Sequence, residues 1–452
     1  MHKFDVIVVG GGPSGACAAI AAARNGARTL LVERYGFLGG MGTAALVGPW
    51  MTFHDEAGNQ VIQGIGEEIV QRLKDLGGSP GHVRDTTGYV HTVTPFDPEL
   101  AKMVYLDLCL ESGVELLLHT WVTAALMEGG AIQGVQVWNK GGQQSLYAHV
   151  VIDATGDGDV AAFAGAEFEV GRAADGLTQP MSLMFVLGNV DLEKVKAYMR
   201  EHREEFYEKT QFELLDAGHL SVNGFYSKLL QAKERGELHI DRDMVLFFQT
   251  ARPDQITVNM TRATKVDAAN AWQLTNAEIA LRRQMMELLA FFRRHIPGFE
   301  QTYIVTSGLQ AGVRESRRIV GDYVLQAQDI IEGVEFPDVI SRNAYPIDIH
   351  SPDGQGVQTI NLKAQAYCLP YRVLLPKGIE GLLVVGRCIS CTHETLAAVR
   401  TQPSVMALSL IHISEPTRLR RISYLQPPEN RYRGAADHAA QPKSEYLRGG
   451  LA

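Results

Sequence analysis

Cysteine is scarce, five in 452 residues, and an odd count in a long chain excludes a secreted disulfide framework. No cysteine cluster has the spacing that holds an iron–sulfur centre. The one close pair, Cys388 and Cys391, has no second ligand pair placed to complete a zinc site, so no metal is expected. A basic excess is also missing. Forty-two Lys and Arg against 51 Asp and Glu leave a net charge of −9, which argues against nucleic acid as the main partner. The stretch from Val6 to Val32 is apolar but is broken by glycines and Arg24, so no membrane span is predicted. No leader precedes the first strand-like run, and a cytoplasmic location is the expectation. Internal repeats and low-complexity segments are lacking. What remains is 46% hydrophobic and 21% charged, with 45 glycines, the profile of a globular chain long enough for two joined domains.

The glycines are most informative near the amino terminus. Phe4 to Val9 reads as a buried parallel strand and runs into Gly10, Gly11, Gly12, Pro13, Ser14 and Gly15, a G-x-G-x-x-G loop. An alanine-rich helix follows from about Ser14 to Asn25, and a second strand from Arg28 to Val32 ends at Glu33, eighteen positions past Gly15. Gly10 makes the tight turn, Gly12 admits a pyrophosphate to the backbone, and Gly15 lets helix and strand pack. The helix N-terminus presents N–H groups and a partial positive charge to that pyrophosphate. Glu33 is placed to accept hydrogen bonds from ribose hydroxyls. These residues predict a dinucleotide site and leave NAD and FAD both open.

Three further segments narrow the choice. The loop from Glu33 to Thr43 carries Arg34, Gly39, Gly40 and Met41. Val150 to Asp159 is an apolar strand ending in Asp153, Ala154, Thr155, Gly156 and Asp157. Gly381 to Ser390 is another buried strand, breaking at Gly386 and Arg387. Together with the first loop, in this order, they resemble the FAD-dependent oxidoreductase family, the group related to the flavin subunit of heterodisulfide reductase. The resemblance covers roughly residues 1 to 408. It implies FAD as cofactor, Glu33 on the adenosine ribose, and Arg34 and Gly39 to Thr43 along the pyrophosphate toward the flavin. It also implies backbone near Trp121 and Val122 at the adenine, the Thr155–Asp157 turn over the pyrophosphate or ribityl chain, and Gly386 and Arg387 along the ribityl chain. The helix following Thr401, Gln402 and Pro403 would point at the flavin.

The expected fold is α/β: a Rossmann-like FAD domain with a small antiparallel meander from Trp121 to His149, formed by residues 1–180 and 370–408. An inserted α+β substrate domain would occupy 181–369. Within it, Leu192 to Leu215 and Ala277 to Arg294 read as helices, and Met244 to Gln249 and Gln255 to Met260 as strands. Asp97 followed by Pro98 predicts a capped helix running to about Ser112. From Ser409 to about Tyr424 helical periodicity stops and Pro416 intervenes. That tail, to residue 452, resembles translated adapter read-through and is expected to be non-native or disordered.

Several residues are candidates for the chemistry. His393 and His350 could handle a proton beside the flavin, or be structural histidines. Arg314 could hold a substrate carboxylate; alternatively, its spacing with Glu315 and Arg318 suits a helix-surface ion network. Trp50, Phe53 and His54 could wall the flavin. Cys388 and Cys391 could be a redox dithiol or two buried small hydrophobes. The favoured function is hydride transfer between a small organic substrate and flavin N5, with an electron donor or acceptor left unidentified and a homo-oligomer left open. A single-site NAD-dependent dehydrogenase is the main competitor. An RNA-modifying flavoprotein and an inactive truncated product are the others.

Overall fold

The computed structural model describes residues 3–353 and 356–408; the expectation made for the tail from Ser409 lies outside the described residues. Val6 to Val9 are buried and form the second half of the strand Lys3–Val9. It pairs in parallel with Thr29–Val32 on one side and Gly142–Asp153 on the other. Glu115–Leu117 extends the sheet beyond Thr29–Val32, and Leu382–Val384 adds a parallel strand against Val151 to Asp153. The crossover between the first two strands is the helix Pro13–Arg24, with proline at its start and a run of buried alanines that lets it lie close to the sheet.

The meander is present as Trp121–Glu128, Ala131–Asn139 and Gly142–Asp153, antiparallel in that order. Its last strand is also a member of the parallel sheet, so both patterns belong to one seven-stranded sheet. Asp97 caps the helix Pro98–Glu111, its Oδ1 accepting from the N–H groups of Glu99 and Leu100 at 2.9 and 3.3 Å.

A second, antiparallel sheet joins five strands in the order Ser221–Gly224, Val245–Gln249, Ile256–Val258, Phe185–Gly188 and Tyr303–Ser307. It has its own core, in which Phe185, Phe225, Phe247, Phe292 and Phe299 are fully buried. The long helix Ala271–His295 packs there through Leu288 and Phe292. The protein is thus a mixed α/β fold with a Rossmann-type nucleotide sheet and an additional sheet.

Two expectations need correction. The helix expected over Leu192 to Leu215 stops at Glu201 and is followed by two short 3-10 turns. The segment carrying Arg314, Glu315 and Arg318 is not helical. Arg317–Ile319 is a strand antiparallel to Phe168–Val170, and that pairing overrides the helix-like charge spacing. No helix among the described residues is long and apolar enough to cross a membrane.

Candidate active site

One continuous cavity of about 470 Å³ runs from the glycine loop to the second sheet. At the loop end it is lined by Gly10, Gly12, Pro13 and Ser14, with Glu33 and Arg34 beside them. Gly10 has φ +103°, and a Cβ there would lie 2.4 Å from the Ala154 carbonyl oxygen. A Cβ on Gly15 would lie 1.8 Å from the Gly10 oxygen, so this glycine allows the turn to pack rather than lining the cavity. Gly12 differs. A Cβ there has only Gly40 Cα, at 3.8 Å, within reach and would enter the cavity. The helix behind it has no side-chain cap and no acid in its first turn. This is an open cradle of N–H groups that suits a pyrophosphate.

Glu33 is buried, its Oε2 accepting from Gly11 N–H at 2.5 Å and its Oε1 from Tyr35 N–H at 2.9 Å. Burial raises its pKa against the pull of those two N–H groups. The Arg34 guanidinium lies over the rings of Tyr35 and Trp121, 5.0 and 5.4 Å from their centroids, and Val122 lines the same region. Gly40, Met41, Thr155, Gly156, Gly386 and Arg387 also line the cavity. Gly39, Thr43 and Asp157 do not. Gly39 starts the short helix Gly40–Ala44 and donates its N–H to Gly11 O, Thr43 donates to Leu38 O, and Asp157 pairs with Arg387 at 2.9 Å. Asp153 is structural, accepting from Thr155 N–H and hydroxyl and from Ala161 N–H. Burial lifts its pKa to about 6.

The far end of the cavity has a different chemistry. Arg242, Arg314, Arg400, Asp348 and His350 line it, with Tyr89 and Tyr345. Arg314 donates to Pro180 O and Ser182 Oγ at 2.7 and 2.6 Å, and Arg400 to Gln179 Oε1 at 3.1 Å. His350 Nε2 lies 3.4 Å from Asp348 Oδ2, which also accepts from the Tyr345 hydroxyl at 3.2 Å. Burial, reinforced by Arg314, pushes the His350 pKa down to about 3 despite Asp348. Burial works against ionised Asp348 too, but His350, Arg400 and Arg314 together hold its pKa well below the usual range. The imidazole is therefore neutral and the carboxylate charged at pH 7. Trp50 reaches the cavity with its indole N–H on Gln402 Oε1 at 3.0 Å, whereas Phe53 and His54 are not among the lining residues.

His393 stands elsewhere. Its Nδ1 is 2.8 Å from Glu315 Oε2, and it does not line the cavity. Glu315, fully buried, also pairs with Arg318 and accepts from Gln179 N–H at 2.9 Å. The network expected on a helix surface is in fact a buried cluster. Cys388 and Cys391 are both free and buried. Burial pushes the Cys391 thiol up to about 12 and the Cys388 thiol well above its usual value, which disfavours the thiolate that dithiol chemistry requires.

The sequence matches a family model described as FAD dependent oxidoreductase over residues 5–409. The chain belongs to the FAD-dependent oxidoreductase family. FAD is its cofactor, and the open cradle at Gly12 fits that group. Digeranylgeranylglycerophospholipid reductase of Methanoculleus marisnigri is 31% identical over 176 residues, covering 36% of this chain and 40% of that one. Digeranylgeranylglycerophospholipid reductase 1 of Methanococcoides burtonii is 25% identical over 215 residues, covering 43% and 47%. The chain thus spans less than half the length of these curated relatives. A geranylgeranyl bacteriochlorophyll reductase-like protein from Thermoplasma acidophilum is similar in structure at 14% identity and a TM-score of 0.46, covering 92% of this chain and 78% of that one.

Within this family member, sequence reasoning did not find Arg242, Arg400 or Gln179. Arg400 directly precedes Thr401, Gln402 and Pro403, which was the available signal. Arg242 lies between two exposed aspartates and carries none.

Proposed function

We propose that this FAD-dependent oxidoreductase moves a hydride between a small organic substrate and FAD, with the substrate seated at the Arg314–His350 end of the cavity. The observation that supports the reading is the continuity of the cavity from the glycine cradle to that cluster. When bound, FAD supplies two-electron acceptance or donation at its ring system. Gly10, Gly12, Pro13 and Ser14 would hold its pyrophosphate, with Gly15 shaping the turn and Glu33 receiving the ribose. Arg34 and Val122 would flank the adenine. Gly40 and Met41 would form the wall leading to the flavin, with Gly39 and Thr43 fixing that segment from behind it, completed by Thr155, Gly156 and by Arg387, which Asp157 holds in place, next to Gly386.

His350, neutral at pH 7, would accept the proton that leaves the substrate on oxidation, or return it on reduction, with Asp348 stabilising the imidazolium so formed. Arg314 would orient the substrate. His393, closed in against Glu315, would act only by holding that cluster. Residues 181–369 would form the cover over the reacting face, and 1–180 with 370–408 the FAD-holding part. The prenyl-lipid substrates named for the relatives are not carried over, because the chain matches less than half the length of those relatives. The test is anaerobic reduction of the FAD-loaded protein by candidate substrates, followed as loss of visible flavin absorption. His350→Asn should keep its flavin and slow the bleaching on the order of a hundredfold or more. An unchanged rate would remove His350 from the mechanism, and a protein that never takes up FAD would overturn the reading.

A further inference from the structure

Each guanidinium carries five N–H donors, and the arginines at the substrate end of the cavity use few of theirs. Arg242 donates to Asn259 O at 3.3 Å, and its Nε has no partner although the residue is only 6% exposed. Arg400 donates to Gln179 Oε1 and Asp348 O, and its Nε is likewise unpartnered. Arg314 donates to Pro180 O, Ser182 Oγ and Asn259 Oδ1. Every one of these acceptors is neutral. The single carboxylate lining this end, Asp348, is engaged by Tyr345 and His350 instead. Asp241 and Asp243, which flank Arg242, are exposed and do not line the cavity. Among the groups lining this end of the cavity, three guanidinium groups face a single carboxylate, an excess of positive charge that an anion would complete.

The cluster is a row rather than a single nest. Arg242 and Arg314 share Asn259, and Arg314 and Arg400 share the Gln179–Pro180 segment. A row suits two anionic groups spaced along a carbon chain better than one compact anion, and the planar guanidinium fork matches a carboxylate. We propose that Arg242, Arg314 and Arg400 form the recognition site for a substrate bearing two carboxylates, a small organic dicarboxylic acid. This rests on reading this end of the cavity as the substrate seat.

Calorimetric titration of the FAD-loaded and the flavin-depleted protein with succinate, glutarate and adipate tests it, with their monoamides and inorganic phosphate run alongside. At least one dicarboxylate should bind saturably and at least tenfold more tightly than its monoamide. Arg242→Gln should weaken that binding at least tenfold, with Arg242→Lys recovering part of it. Asp348→Asn, which removes the competing negative charge, should tighten it, an effect that misfolding cannot mimic. No binding by any dicarboxylate, equal binding by the monoamide, or binding of phosphate alone would overturn the proposal. Dicarboxylate binding to a chain that takes up no FAD would sink the hydride-transfer reading and leave the anion site standing. FAD uptake and reduction by some other substrate, with no dicarboxylate bound, would do the reverse.

Discussion

A methyl group added at Gly12 would meet nothing nearer than Gly40 Cα at 3.8 Å, whereas at Gly15 it would strike the Gly10 carbonyl at 1.8 Å. The two residues therefore respond differently to the same change. Gly12→Ala should leave the thermal stability of the flavin-free protein nearly unchanged and weaken FAD binding, read by fluorescence titration. Gly15→Ala should cost about 1–3 kcal/mol of stability through forced backbone displacement, read by denaturant melts. His350 carries a prediction of another kind. Its folded pKa of about 3 lies below the usual unfolded value of about 6.5. The unfolded chain therefore binds the proton first as pH falls, and stability is full above about pH 6.5 and declines toward pH 3. His350→Asn should flatten that decline, measured as melting temperature against pH. At this scale the glycine loop and Glu33 were legible because their chemistry is local. His350 was legible only as a candidate: Asp348 stands two positions away, but Arg314, whose charge helps keep the imidazole neutral, is 36 positions off and nothing in the chain announces their proximity.

At the scale of elements, the segment from Gly312 to Gly321 shows what spacing alone conceals. Arg314, Glu315 and Arg318 have separations that suit a helix, yet Arg317–Ile319 pairs as a strand with Phe168–Val170, Arg314 lines the cavity, and Arg318 and Glu315 are buried together. The ion pair is then buried, and the desolvation of both partners makes its loss expensive. Glu315→Leu leaves Arg318 and His393 without their carboxylate and should cost roughly 3 kcal/mol or more, visible as a lowered denaturation midpoint. A change within experimental error would mean that Glu169, 3.3 Å from Arg318, takes over. The strand–turn–helix unit, the meander and the Asp97 cap were all readable, since each rests on near neighbours in the chain. The turn that ends the helix at Glu201 was not, because the charged sequence continues across it without a break.

At the scale of the whole molecule, the five cysteines are spread over distant segments and every one is buried and unpaired. Burial raises the thiol pKa of each, to about 12 for Cys109 and Cys391. The native protein should therefore react with a thiol reagent at mildly alkaline pH only very slowly, and release all five equivalents on unfolding. Prompt labelling of Cys388 or Cys391 in the folded protein would reopen the dithiol alternative. The α/β class and the presence of a second sheet could be read from the chain as a whole. The arginine row could not, because its members come from three separate stretches that meet only after both sheets are built.

The strand Gly142–Asp153 has a consequence for how this protein breathes. Its first half is stitched to Ala131–Asn139 and its second half lies between Lys3–Val9 and Leu382–Val384. A slip of one residue in the meander would turn every side chain of that strand to the opposite face of the central sheet. The meander end at Gly142, paired with Asn139, and the turn at Asp153 are thus the two ends of one continuous strand. Their backbone amides should exchange with solvent deuterium in step, as a single cooperative unit, with the meander unable to loosen by itself.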